Sequence, residues 1–208
     1  MARQINLFNF TGKLGNVVGY YYKGKYCLRS RPVRKNKTVS LVQLAHQEKF
    51  AKAGKFVRSI SPLLAFSIPD PKKMTQSNFV MSHTLKNAMY GSYPDFYIDY
   101  SLVPVCYGDL QPGYAEQVVC KSENLIFTWN DDIFQNNASP NDKVILAAYC
   151  EALNQCFYST NSTVRQTGIA TLAVKAFKGH EVHTWMAFKS EDGKLLSKST
   201  YTGALFVT

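Results

Sequence analysis

The chain has 208 residues, of which 46% are hydrophobic and 13% aromatic, with 24 Lys and Arg residues against 14 Asp and Glu. This apolar content excludes a largely disordered chain. The sequence contains no run of 18 apolar residues, so we predict no membrane span. The first residues do not follow the pattern of a signal peptide, so we expect a cytoplasmic protein.

The net charge of +10 is distributed unevenly along the chain. Residues 1–60 carry 13 basic side chains and one acidic side chain, Glu48, which gives this segment a net charge of +12. The other residues carry 11 basic and 13 acidic side chains, a net charge of −2. A basic segment joined to a near-neutral body indicates either a polyanionic partner or a segment that docks on another surface.

The N-terminal part of the chain is rich in glycine and aromatic residues. Alternating residues from Val17 to Tyr22, the Lys23-Gly24-Lys25 turn and the residues from Tyr26 to Leu28 predict a β-hairpin arm. Because an isolated hairpin is marginally stable in water, we expect this arm to pack on something.

Two helices are predicted after the arm. The capping-box pattern Ser40-x-x-Gln43 starts the first helix, and Pro62 is expected to end it. The second helix is predicted over residues 75–90, with Gly91 as its C-cap.

From residue 93 onward the hydrophobic period changes to two. The predicted strands are Tyr97–Val103, Ala115–Cys120, Leu125–Trp129, Val144–Tyr149, Gln155–Tyr158, Gly168–Phe177, Val182–Phe188 and Tyr201–Val207. Short strands with turns every 8–12 residues are typical of an Ig-like antiparallel β-sandwich. We therefore predict a mainly β protein with two domains, a basic N-terminal segment over residues 1–92 and the sandwich over residues 93–208.

Catalytic and metal-binding patterns are weak in this sequence. His180 and His183 lie on a predicted strand at a spacing that places them on opposite faces, so they do not chelate one ion. Asp131, Asp132 and Asp142 are typical of loop-capping residues more than of a cation site. We predict no enzyme, no metal, no cofactor and no small-molecule substrate.

The basic segment with interleaved aromatic residues is the strongest candidate for a binding site. Its residues are Tyr20, Tyr22, Lys23, Lys25, Arg29, Arg31, Arg34 and Lys35. Rings that stack on bases and cations that follow phosphates suit nucleic acid. The same pattern suits an arm that adds to a neighbouring sheet, with basic side chains covering the rings. We favour docking on a protein partner or on another copy of the chain, with nucleic-acid binding as the alternative and a plain solvated basic face as a third interpretation.

Two groups of residues resemble a known family. The first runs from Phe10 to Tyr20 with the letters FTGKLGNVVGY, and continues with Lys23-Gly24-Lys25, Arg29-Ser30-Arg31-Pro32 and then Asn36, Thr38, Gln43 and Phe50. The second comprises Phe127-x-Trp129, Asp142-x-Val144, Arg165-x-x-Gly168, Gly179-x-x-Val182-His183 and Ser197-x-Ser199-x-Tyr201-x-Gly203. Together they resemble the domain-of-unknown-function family numbered 6266, which is found mainly in Bacteroidota. Lys37 and Gln47 depart from its usual Pro and Arg.

The resemblance implies no catalytic residues. Its opening looks like that of some phage and prophage structural proteins, which implies an assembly or virion component. We therefore expect a non-enzymatic structural or interaction protein, located in the virion if it is phage-derived. A weaker alternative is a carbohydrate-binding module that uses Trp129, Trp185 and tyrosines as stacking platforms.

Overall fold

The computed structural model describes residues 3–6, 9–22, 24–32, 38–71, 74–130 and 137–208. The protein is mainly β, with antiparallel sheets, two α-helices and an N-terminal strand hairpin, so the predicted fold class is confirmed. By Cα proximity the chain forms two compact units, residues 1–40 and 41–208. Both helices therefore lie in the same unit as the sandwich strands. The domain boundary after residue 92 stays a prediction, since compactness does not show which units fold independently.

The described part of residues 1–40 contains a four-stranded antiparallel sheet, which we call the N-terminal sheet. Its strands are β1 (Arg3–Gln4), β2 (Phe10–Leu14), β3 (Val17–Tyr22) and β4 (Lys25–Ser30), in the order β1-β2-β3-β4. Leu14 pairs with Val17 and Tyr22 pairs with Lys25, so two-residue turns join β2 to β3 and β3 to β4. Such turns need residues with positive φ, which Gly15 and Gly24 supply.

Helix α1 (Leu41–Ser67) continues through Pro62, so the predicted end of this helix is wrong. A proline inside a helix costs about 3 kcal/mol, because it removes a hydrogen bond and clashes with the preceding turn. Leu63 and Leu64 are fully buried beyond it. Burying each of them contributes about 1.5–3 kcal/mol, which offsets the cost of the proline.

Helix α2 (Gln76–His83) begins as predicted but ends early. The Thr75 side chain accepts a hydrogen bond of 3.2 Å from the Asn78 amide and caps its N-terminus. The chain then forms a π-helical turn over Thr84–Ala88 and a hairpin of β5 (Met89–Ser92) and β6 (Asp95–Ile98). Extending α2 to residue 90 and giving Gly91 the role of its C-cap were therefore wrong.

Seven strands follow, and they form two antiparallel sheets. They are β7 (Tyr114–Lys121), β8 (Asn124–Asn130), β9 (Lys143–Cys150), β10 (Gln155–Ser159), β11 (Ile169–Ala173), β12 (Glu181–Lys189) and β13 (Thr200–Phe206). The orders are β10-β9-β12-β13 and β11-β8-β7. The partition resembles that of an immunoglobulin constant-type sandwich except that the fourth strand pairs with the third. Assignment to the Ig-like class stays a prediction.

Two predicted strands extended into residues that form 3₁₀ turns. Tyr100–Leu102 is such a turn because the Asp99 carboxylate accepts hydrogen bonds from the Ser101 amide and hydroxyl, which competes with strand pairing. Lys175–Phe177 is another, and Phe177 is fully buried in it.

The four-stranded sheet of residues 41–208 is covered on both faces. On one face Ile145, Tyr149 and Trp185 pack in one cluster with Phe56 and Leu64 of α1. On the other face strands β9 and β12 share a second cluster with strands β8 and β11 of the three-stranded sheet. The result is a helix layer and two sheet layers. Among the described residues, no helix is both long and apolar enough to cross a membrane.

Candidate functional site: the two faces of the N-terminal sheet

One face of the N-terminal sheet brings together cations and tyrosines. Side chains of directly opposed residues in antiparallel strands lie on the same face. The register pairs Tyr22 with Lys25, and β3 alternates so that Tyr20 shares this face. Val18, also on this face, pairs with Arg29, and the Arg29 guanidinium lies 5.7 Å from the centre of the Tyr20 ring. We call this side of the sheet the cationic face.

The side chains of the cationic face are accessible to solvent. Tyr20 is 38% exposed and Tyr22 is 60% exposed, and Lys25 and Arg29 are also exposed. The sheet therefore presents two rings and two positive charges to solvent, which is the combination that a single-stranded nucleic acid requires.

The opposite side of the sheet is apolar. Leu14 pairs with Val17, and Tyr21 pairs with Tyr26. Leu28 lies opposite Gly19 on this same side. We call this side the apolar face. Its side chains are also exposed, at 60% for Leu14 and 56% for Leu28.

Tyr26 connects the strands of the apolar face. Its hydroxyl donates a hydrogen bond of 3.1 Å to the Phe10 carbonyl oxygen and accepts one of 3.1 Å from the Phe10 amide. Strand β3 lies between these two residues, and a Cβ atom at Gly19 would lie 2.1 Å from the Phe10 carbonyl oxygen and 2.6 Å from the Tyr26 hydroxyl. A glycine at position 19 therefore permits the link from β4 to β2.

The predicted site residues are found in three situations. Tyr20, Tyr22, Lys25 and Arg29 lie together on the cationic face. Arg31 follows β4, is exposed, and donates its backbone amide hydrogen to the Asn16 carbonyl oxygen at 2.7 Å. Lys23, Arg34 and Lys35 lie outside the residues that the structure describes.

One cation of this face was missed in the sequence. Lys13 on β2 pairs with Val18, which itself pairs with Arg29, so Lys13 and Arg29 flank the same valine on the cationic face. The sequence contains the information needed to place Lys13 on this face, because a two-residue Gly15-Asn16 turn fixes the register between β2 and β3.

A comparison with protein families decides the classification of the chain. Residues 9–203 match the model of a family described as a family of unknown function, DUF6266. The chain belongs to the DUF6266 family. No curated protein matches it.

The C-terminal motifs of this DUF6266 protein meet in a buried polar network. Arg165 is 3% exposed, and its Nε atom lies 3.2 Å from Oδ2 of Asp142, which is 1% exposed. Its guanidinium also stacks over the Phe188 ring at 3.8 Å and donates to the Gln111 carbonyl oxygen at 2.6 Å. The Trp129 indole donates to the Arg165 carbonyl oxygen at 2.8 Å. These motif residues join loops and strands inside the DUF6266 fold.

A second polar group lies on the other side of the four-stranded sheet. Nδ1 of His183 lies 2.9 Å from the Tyr201 hydroxyl, and the His183 and Tyr100 rings are 4.1 Å apart. Burial lowers the pKa of His183, so the ring is neutral near pH 7. A neutral, stacked histidine serves packing here.

The tryptophans do not form the site considered for them, and two of the three acidic loop residues lie outside the described part of the chain. Trp129 is 4% exposed and Trp185 is 1% exposed, so neither offers a stacking platform for a sugar, and the carbohydrate alternative loses both of its tryptophans. Asp131 and Asp132 lie outside the described residues. Within the described part of the chain, no group of three or more His, Cys, Asp or Glu side chains is placed to hold a metal ion.

Proposed function

We propose that the protein is a non-enzymatic structural or interaction protein that docks through its N-terminal sheet. The supporting observation is the apolar face. In the described part of residues 1–40, no hydrophobic side chain is buried, while Leu14, Tyr21 and Leu28 are each about half exposed or more, at 60%, 49% and 56%.

Burial of the apolar face supplies the free energy for docking. Removing apolar surface from water contributes about 25 cal/mol per Å². Small sheets of this kind depend on such burial for their stability. The occupant that we propose is a second copy of the chain, in which apolar face meets apolar face and the cationic face stays in solvent. Strand β4 is the last strand of the sheet and pairs only with β3 among the described strands, which leaves an edge for contact.

The test uses the full chain and two matched double variants. Leu14→Gln/Leu28→Gln alters the apolar face, and Lys13→Gln/Arg29→Gln alters the cationic face of the same strands. Light scattering over a concentration series measures the molar mass. We expect the native chain and the cationic-face variant to form dimers or larger species, and the apolar-face variant to be monomeric. A native chain that stays monomeric at all concentrations would contradict the proposal.

We further propose that the assembly is of the phage or prophage type. The support is the resemblance of the opening residues, with Gly12, Lys13, Gly15 and Asn16, to those of phage structural proteins. The location is then the virion. Co-purification of the chain with intact particles tests this, and its absence from particles would overturn it.

Nucleic-acid binding is the second candidate, and the cationic face favours it. Tyr20 and Tyr22 lie on that face with Lys25 and Arg29, so stacking and phosphate contacts are possible on one surface. Fluorescence anisotropy of a single-stranded oligonucleotide in the range 50–200 mM salt provides the test. Lys25→Gln/Arg29→Gln should reduce the slope of log affinity against log salt. Tyr20→Ala/Tyr22→Ala should weaken binding at an unchanged slope, and Tyr21→Ala on the opposite face should have no effect. Salt-independent binding excludes this function.

A further inference from the structure

A cavity of about 600 Å³ lies between α1 and the turn that joins β9 to β10. Its helical wall is formed by Glu48, Lys52, Lys55 and Arg58. Spacings of three and four residues place these side chains on one face of α1. The volume lies within the range of about 300–1,000 Å³ that small-molecule sites occupy.

The three cations of this wall have different surroundings. Lys52 donates to the Phe96 carbonyl oxygen at 2.8 Å and lies 3.4 Å from Oε1 of Glu151, so its charge is already paired. Lys55 and Arg58 are exposed, and neither has an ion-pair partner among the residues that the structure describes. Two carboxylates, Glu48 and Glu151, line the cavity with these three cations. Because Glu151 is paired with Lys52, Glu48 is the lining carboxylate left to oppose Lys55 and Arg58.

The opposite wall carries neutral hydrogen-bonding groups beside Glu151, the carboxylate that is paired with Lys52. The Tyr149 hydroxyl donates to Oδ1 of Asn154 at 3.2 Å, and Tyr100 lies beside it, with ring centres 5.5 Å apart. Burial, followed by the charge of Glu151, raises the pKa of Tyr149 to about 12, so this hydroxyl keeps its proton. Asn154, at the end of the turn, adopts a positive φ of 50° and lines the cavity.

We propose that this cavity binds a small phosphate monoester that carries hydroxyl groups. Lys55 and Arg58 bind the phosphate, because cations on a shared helix face make charge-assisted hydrogen bonds with its oxygens. The side-chain amide of Asn154, on the opposite wall, binds a hydroxyl group. This site is separate from the N-terminal sheet and does not depend on the proposed docking.

Isothermal titration calorimetry of the full chain tests the phosphate contacts, with inorganic phosphate and ribose 5-phosphate as probes. Lys55→Gln/Arg58→Gln should weaken both probes by roughly tenfold or more. Lys86→Gln removes an exposed lysine outside the cavity and should leave both affinities unchanged. Glu48→Gln should tighten both probes, because it removes the opposing charge. Weaker binding by Glu48→Gln, or unchanged binding by the double variant, would overturn the proposal.

The hydroxyl contact has its own test. Ribose 5-phosphate should bind the native chain roughly tenfold more tightly than inorganic phosphate, the effect of one well-formed hydrogen bond. Asn154→Gly keeps the positive φ accessible and should remove this difference while leaving inorganic phosphate binding unchanged. Equal affinities for the two probes in the native chain would exclude the hydroxylated ligand class. Displacement of ribose 5-phosphate by an oligonucleotide at equal phosphate concentration would assign the cavity to a nucleic-acid backbone and overturn the proposal.

Discussion

The Tyr26 hydroxyl makes two hydrogen bonds with the backbone of Phe10, one to its carbonyl oxygen and one from its amide, each of 3.1 Å. These bonds join β4 to β2 across the strand that separates them. One side chain thus links non-adjacent strands of the N-terminal sheet, in addition to the pairing of neighbouring strands.

Tyr26→Phe should loosen the N-terminal sheet without affecting residues 41–208. The variant removes both hydrogen bonds and keeps the ring, so we expect a loss of about 1–2 kcal/mol in local stability. Amide hydrogen exchange in β2 and β4 measures it and should accelerate by roughly tenfold. Tyr21→Phe is the matched control, since the described contacts of Tyr21 include its ring against Tyr26 at 5.5 Å and no hydroxyl hydrogen bond. Equal exchange in the two variants would contradict the role of Tyr26.

Glycine-to-alanine substitution should have opposite effects at two positions. At Gly19, on β3, the added Cβ would clash with the Phe10 carbonyl oxygen, so this end of β2 must move away from β3 and the N-terminal sheet is destabilised. At Gly54, in α1, the added Cβ would meet Met81 Cε at 3.6 Å, an ordinary contact. Gly54→Ala should raise the stability of residues 41–208 by about 0.5–1 kcal/mol through helix propensity. Urea unfolding followed by hydrogen exchange distinguishes the two effects.

Arg165→Met should be strongly destabilising. It leaves the Asp142 carboxylate buried without its cation, and breaking a buried pair in this way costs about 3–5 kcal/mol. Adding Asp142→Asn should recover part of the loss, because the buried charge is then removed. Lys194→Ala breaks the exposed pair with Asp192 and should not change the urea midpoint. A shift for Arg165→Met as small as that of Lys194→Ala would refute this account.

Glu116 makes the stability of the protein depend on pH. Burial raises the pKa of its carboxyl to about 7, while Thr200, Gly113 and the charge of Arg165 partly offset the rise. The folded chain therefore keeps this proton between about pH 4.5 and pH 7, whereas the unfolded chain releases it. The contribution of Glu116 to the free energy of unfolding is then greatest below pH 4.5 and decreases as the pH rises to 7.

Glu116→Gln should remove this dependence. At pH 8 the variant should be more stable than the native chain by about 3 kcal/mol, and at pH 4 the two should be similar. Urea unfolding at pH 4, 6 and 8 measures the difference. Glu123→Gln should remove a pH dependence of the opposite sign. A hydrogen bond from Lys178 lowers the pKa of Glu123, so the contribution of Glu123 to the free energy of unfolding is lost as the pH falls. A native stability that is independent of pH from 4.5 to 7 would contradict the buried state of Glu116.

The sequence predicted most of the strands well and the ends of the helices poorly. Alternation located β9 and β12 to within one residue, because their side chains alternate between two buried clusters. It did not predict that α1 passes Pro62, since the burial of Leu63 and Leu64 that offsets the proline depends on distant strands. Residues 89–92 form a strand because they pair with residues 95–98. The helical spacing of the apolar residues before them does not reveal this pairing.

The candidate sites also differ in how far the sequence alone could predict them. The cationic face was predictable, since Tyr20, Tyr22, Lys25 and Arg29 are related by strand alternation and a two-residue turn. The cavity was not predictable, because Lys55 and Asn154 line one cavity only when α1 packs on the sheet that contains β9. The apolar face required the register of three strands, which the sequence fixes only once both turns are known.

Covering the four-stranded sheet on both faces has a kinetic consequence. The amides of β9 and β12 are hydrogen-bonded within the interior of that sheet, so they exchange with solvent only when the whole unit opens. Amides of the N-terminal sheet, which has no buried side-chain core among its described residues, exchange through local openings. Every exchange experiment thus contains a slow internal reference, against which protection gained by the N-terminal sheet on docking can be read in a single sample.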